Sequence, residues 1–206
     1  KWRREQLNTL SNLLEVHQQE ILNALSDDLR KPPTEAFFEI IAVKQEIKLA
    51  LKNLSNWMSL KQINVPVSLK PGQAFVQPDP LGCILIIGPW NYPFSLTLQP
   101  LVGALAAGNT AVLKPSEHAP SVSNLIKKLI EKYFPSNIAQ VIEGDGDTAA
   151  ALMTQKFDHV FFTGGENIGK KVMESAAKNL IPVTLELGGK SPALVIDGAN
   201  LEVTAN

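Results

Sequence analysis

Four short stretches carry residues whose types and spacing suit chemistry. In "VTLELGGKSP", residues 183–192, the carboxylate of Glu186 stands in an apolar run that ends in Gly188 and Gly189. A buried acid must be neutralised, paired or used, and a desolvated carboxylate suits a general base. The alternative is a structural glutamate bonded to nearby backbone. In "GPWNYP", residues 88–93, two prolines stiffen a loop around Trp90, Asn91 and Tyr92. A held Asn amide offers two N–H donors to a developing oxyanion, or else Asn91 caps the helix that follows. In "LKPSE", residues 113–117, Lys114 and Glu117 lie just past an apolar run. They can meet phosphate and ribose hydroxyls there, or form a surface ion pair. The stretch "FFTGGENIGKK", residues 161–171, spaces Gly164 and Gly169 five apart, with Gly165 between them. Small residues at a helix start leave room for a phosphate at its positive end. The pattern is neither G-x-G-x-x-G nor a Walker A loop, since Lys171 follows Gly169-Lys170, and it is unspecific on its own.

Elements able to hold these stretches are legible around them. From Gly82 onward short apolar runs alternate with helical spacing. "CILIIG" leads to a helix near 94–107, "TAVLKP" to one near 120–133, "AQVIEG" to a short one near 147–154, and "HVFFTG" to one near 168–179. "VTLEL" and "PALVID" follow as two further strands. Such alternation predicts an α/β fold, a parallel sheet with helices on both faces and ligands outside the carboxyl ends of its strands. Upstream, Leu7, Leu10, Leu14, Ile21, Leu25 and Leu29 are spaced as a helix over residues 1–30, stopped by Pro32 and Pro33. A second helix carries Phe37, Ile40, Ile41, Ile47, Leu51, Leu54 and Met58 on one face. Between the helices and the sheet, β-rich runs over 63–69 and 73–77 flank Pro71-Gly72 as a hairpin-like arm. An arm with so little to bury must pack on another part of the protein or on a partner chain.

Composition narrows the function classes. The 206 residues are 45% hydrophobic with a formal net charge of −1, which suits a globular domain and gives no global attraction to nucleic acid or an anionic membrane surface. The apolar stretches are too short to span a bilayer, and no signal peptide is visible, so a cytoplasmic location is expected. Cys83 is the sole cysteine, which excludes an intrachain disulfide and a Cys-based metal cluster. It sits in an apolar strand, where a thiol is expected to be inert packing. His17, His118 and His159 show no ligand-like spacing, so no metal site is expected. The chain opens on Lys1 and closes on "NLEVTAN", where an N-cap and a helix begin, and is expected to be a piece of something longer.

Taken in order, "PWNYP", "GNTAVLKPSEHAP", "FFTGG…GKKVM" and "PVTLELGGKSP" resemble the motifs of the aldehyde dehydrogenase superfamily, and the resemblance covers essentially the whole chain. The style of "AAKNLIPVTLELGGKSPALV" is most similar to the class 3 branch, which takes fatty or aromatic aldehydes. The resemblance implies a Rossmann-like NAD(P)-binding domain (1–61 and 81–206), a partial oligomerisation arm (62–80), and a catalytic domain that is missing. The implied reaction is oxidation of an aldehyde to a carboxylic acid through a cysteine thioester, with NAD or NADP as cofactor and a homodimeric parent enzyme. By the same resemblance Glu186 is the general base and Asn91 the oxyanion donor. Lys114 and Glu117 hold the adenosine ribose and Gly146 lies near the adenine. Gly164 and Gly165 sit at the pyrophosphate, Leu187 lies near the nicotinamide, and Gly169 and Trp90 are further cofactor-binding residues. Two departures stand out. The family's nucleophilic cysteine falls beyond Asn206, so the chain alone is expected to be inactive. Glu166 replaces a small or hydroxyl residue and would repel a pyrophosphate unless it points to solvent. The rival is a non-catalytic nucleotide-binding module, with an acyl-phosphate-handling relative as a lesser alternative.

Overall fold

The computed structural model describes residues 1–205. Three helices open the chain: α1 (Trp2–Val16), α2 (Gln18–Leu29) and α3 (Pro33–Trp57). The single helix expected over residues 1–30 breaks at His17. That imidazole is buried between α2 and the later helix carrying Tyr133. Its Nδ1 lies 2.6 Å from Glu20 Oε1 and its Nε2 3.0 Å from the Tyr133 hydroxyl. Arg30 ends α2 in the left-handed conformation, and Pro33 then starts α3, a position where a missing N–H costs nothing. The buried stripe of α3 is Ala36, Ile40, Val43, Ile47, Ala50 and Leu54, with Glu39 beside it, whereas Phe37 and Met58, expected on that face, are exposed.

The expected arm is a small antiparallel sheet of β1 (Lys61–Ile63) and β2 (Ala74–Val76), with Lys61 opposite Val76. The second run holds a strand, but the first, expected over 63–69, is β only at Ile63 and turns into a short 3-10 helix at Val67–Leu69. Its Ile63, Val67, Leu69 and Phe75 are exposed.

The main sheet has five parallel strands in the order β5-β4-β3-β6-β7: β3 (Cys83–Ile87), β4 (Thr110–Lys114), β5 (Ala139–Val141), β6 (His159–Gly164) and β7 (Val183–Leu187). The chain winds outward from β3 to β5 through α4 (Ser95–Ala107) and α5 (Pro120–Tyr133). It returns through α6 (Gly146–Leu152) to the other side of β3, and α7 (Glu166–Ala177) joins β6 to β7. The strand order therefore reverses between β3 and β6, the crevice where such sheets bind ligands. One sheet face packs Ile84, Ile86, Ala111 and Leu113 against α1 to α5. The other packs Leu85, Ile87, Val160 and Phe162 against Leu152, Val172 and Ala176. Helices thus lie on both faces, as expected.

"PALVID" forms no strand. Residues 192–197 pair with nothing, and Leu194 and Ile196 are 85% and 75% exposed. A strand exists only by its ladder, and apolar character alone does not supply a neighbour. The helix expected to begin in "NLEVTAN" is present as α8 (Leu201–Ala205), with Asn200 Oδ1 accepting from the Val203 N–H at 3.1 Å. No helix among the described residues is long and apolar enough to cross a membrane.

Candidate functional site

The loop after β3 is fixed at both ends. Gly88 N–H donates to the Lys114 carbonyl at 3.0 Å, and a side chain at Gly88 would overlap Thr97 of α4. At the far end the start of α4 is capped from outside. Glu39 of α3 accepts from Phe94 N–H (3.1 Å), Ser95 N–H (2.9 Å) and Ser95 Oγ (3.2 Å). The capping role open to Asn91 is therefore filled by another residue, and Asn91 is exposed beside Trp90.

At the end of β4, Lys114 is only 3% exposed and its ammonium meets three acceptors: Gly144 O at 2.7 Å, Pro115 O at 2.9 Å and Glu117 Oε2 at 3.2 Å. This is not a surface ion pair, because the lysine end is buried. Partial burial works against the charge on Glu117. Hydrogen bonds from its own backbone N–H and from Lys114 outweigh that and hold its carboxyl below the usual range. The third acceptor, Gly144, precedes α6. There Asp145 caps the helix by accepting from the Asp147 and Thr148 N–H groups, both at 3.1 Å, and the space beside Gly146 is open.

The glycines of the β6–α7 turn divide by cause. A Cβ on Gly164 would come within 2.5 Å of the buried Phe162 ring, and one on Gly169 within 2.8 Å of Leu187 Cδ2. Both are accounted for by packing. A Cβ on Gly165 would meet nothing, although Gly165 is the N-cap of α7 and no side chain caps that helix. Open space at an uncapped helix start is what an anionic group needs. Glu166 forms an exposed ion pair with Lys170 at 2.7 Å, so its charge is partly balanced at the rim.

Glu186 is not the buried acid that its neighbours suggest. It is exposed, because β7 is the edge strand and the face bearing Thr184 and Glu186 is not covered by a helix. That face forms one wall of a cleft of about 970 Å³. Trp90, Asn91, Gly164, Gly165, Glu186 and Leu187 all line it, at the carboxyl ends of β3, β6 and β7. Lys114 and Glu117 lie at the end of β4, and Gly146 and Gly169 also lie outside the cleft lining. The opposite wall is α4, through Leu96, Gln99, Pro100 and Gly103. That stripe was not singled out from sequence, although its i, i+3, i+4, i+7 spacing marks a single helix face. Cys83 is half-buried at the amino end of β3, at the far end of the strand from this site.

The chain matches the aldehyde dehydrogenase family over residues 1–206. It is 46% identical over 205 residues to the 4,4'-diaponeurosporen-aldehyde dehydrogenase of Staphylococcus aureus, covering 99% of this chain and 45% of that protein. It is 45% identical to aldehyde dehydrogenase family 3 member H1 of Arabidopsis thaliana, covering 99% and 42%, in keeping with the class 3 resemblance. Among solved structures, a substrate-bound state of Staphylococcus aureus AldH superposes with a TM-score of 0.93 at 46% identity, covering 98% of this chain and 44% of that one. A betaine aldehyde dehydrogenase mutant from Staphylococcus aureus, in complex with NAD+, superposes with 0.85 at 27% identity, covering 98% and 41%. The chain spans less than half the length of these relatives. From its motifs, its fold and these matches, the chain belongs to the aldehyde dehydrogenase family.

Proposed function

We propose that this chain supplies the cofactor site and the general base of an NAD(P)-dependent aldehyde dehydrogenase whose thiol nucleophile comes from outside these 206 residues. The observation that carries this reading is the meeting of Asn91, the open Gly165 helix start and Glu186 around one cleft where the strand order reverses. The residues present fit a dinucleotide: the uncapped α7 start suits its phosphates, and the Glu117 carboxylate, held ionised, suits ribose hydroxyls. Lys114 holds Glu117 and the Gly144 carbonyl in place, Gly146 is assigned to the adenine end, and Leu187 and Trp90 line the cleft at the nicotinamide end. A bound nicotinamide supplies hydride acceptance.

The chain's own residues then do two things. The Asn91 amide donates an N–H to the oxygen that gains charge when a thiol adds to the aldehyde carbonyl, a contribution of roughly 3 kcal/mol for one such donor. Glu186 takes a proton from the water that attacks the thioester, typically worth ~10²–10⁴-fold. The exposure of Glu186 in this cleft keeps a water within reach of it. In the full-length enzyme, Glu186→Gln is expected to slow thioester hydrolysis with nucleotide affinity nearly unchanged. Unaltered turnover would reduce Glu186 to a residue of the cleft wall. We also assign residues 62–80 to an arm through which two copies of the full-length protein associate, on the strength of its exposed apolar side chains.

The rival reading, a nucleotide-binding module without catalysis, draws on one feature: Cys83 is the only thiol in the chain and lies at the wrong end of β3. Turnover of an aldehyde by the 206 residues alone, abolished by Cys83→Ser, would contradict both readings.

A further inference from the structure

Among the described residues no group hydrogen-bonds the exposed Asn91 side chain, so what the chain fixes is the loop backbone from which it projects. That backbone is held by an ion pair from elsewhere in the chain. Glu39 lies in the second turn of α3, 2% exposed, and divides its two oxygens between tasks. Oε2 accepts the three hydrogen bonds from Phe94 and Ser95, and Oε1 accepts from Lys31 Nζ at 2.8 Å. Lys31, also buried, places its ammonium 3.6 Å from the centre of the Tyr92 ring. Tyr92, Phe94 and Ser95, all within four residues of Asn91, are thus tied to one buried pair.

A buried ion pair is poor value as a source of stability, since apolar residues of the same volume hold two helices together as well or better. What it adds is direction: four hydrogen bonds and a ring contact that no apolar pair supplies. We propose that Lys31 and Glu39 are positioning residues for the oxyanion-binding loop, acting through Asn91. The proposal rests on the reading of Asn91 as oxyanion donor. The molecule contains its own control. Asp28 of α2 caps α5 in the same manner, accepting from Ser121 N–H at 3.0 Å and Val122 N–H at 2.8 Å, but the loop it holds carries Glu117, assigned to the nucleotide ribose and not to the reacting carbonyl.

The test is a double-mutant cycle in the full-length enzyme, read as the single-turnover rate of nucleotide reduction by a simple aldehyde. Glu39→Gln is expected to lower that rate about tenfold, because small misplacements of a reacting group are costly, with nucleotide Kd unchanged. In an Asn91→Ala background the same substitution should change the rate less than about twofold. Asp28→Asn should lower Tm and, at saturating nucleotide, leave the single-turnover rate unchanged, any effect through Glu117 showing in nucleotide Kd instead. An equal loss from Glu39→Gln in both backgrounds, or none in either, overturns the proposal. An Asn91→Ala enzyme with an unaltered rate instead removes the reading on which it rests. If Glu39→Gln does not fold, Tyr92→Leu, at an exposed position, is read in the same cycle, where a loss that persists without Asn91 has the same overturning meaning.

Discussion

The three hydrogens of the Lys114 ammonium meet three acceptors, two of them backbone carbonyls, those of Pro115 and of Gly144 in the turn before α6. Lys114→Met should therefore act twice. It leaves buried carbonyls unsatisfied, for a loss of about 1–3 kcal/mol in denaturant unfolding. It also frees Glu117, which should weaken nucleotide binding by calorimetry. His159 makes a different prediction. Its Nε2 lies 3.0 Å from Thr184 Oγ1, its Nδ1 is buried without a partner, and desolvation lowers its pKa from 6.5. The folded state holds that proton less tightly than the unfolded chain, so stability falls as pH drops through 6.5 toward the lower folded value. His159→Gln should remove this part of the acid sensitivity, read as urea midpoints across that interval. At this scale the sequence could flag an acid among apolar neighbours without saying where it points. Glu186 and Glu39 share that pattern. Glu39 is the one buried, ion-paired and used as a cap, while Glu186 opens onto the cleft because β7 has no strand beyond it. Such a difference depends on residues 55 positions away in Glu39's case, beyond any local window.

The β6–α7 turn is where one element does two jobs, and its glycines separate them. Gly164→Ala pushes a Cβ into the Phe162 ring and should cost about 1–3 kcal/mol in stability, as overpacking does. Gly165→Ala has room and an ordinary backbone, with φ −74° and ψ 149°, so thermal unfolding should barely change while nucleotide affinity falls. Equal loss of affinity in both variants at matched stability would mean that Gly165 has no role of its own. The strands β3 to β7 and the helices between them were readable because each apolar run was short and had a turn at its end. The failures have one cause. The break at His17 coincides with an imidazole bonded to Tyr133 of α5, and the missing strand over 192–197 with the lack of a ladder partner. Tertiary partners override periodicity in both.

Across the whole molecule, the N-terminal helices act as a brace for the sheet's chemistry. Acids on α2 and α3 cap α5 and α4, so the loops after β4 and β3 are held by chain that precedes both. The outward-then-back winding places the ends of β3 and β6 side by side, and everything proposed for catalysis stands on that reversal. The direct measurement is a comparison of the full-length enzyme with its Glu186→Gln form, following reduced nucleotide through the first turnover and into steady state. Glu186 as the base for thioester hydrolysis predicts a retained first burst, steady turnover lower by about 10²-fold or more, and an unchanged nucleotide Kd. A variant that turns over at the parent rate, or one that fails only because it no longer binds nucleotide, would contradict it.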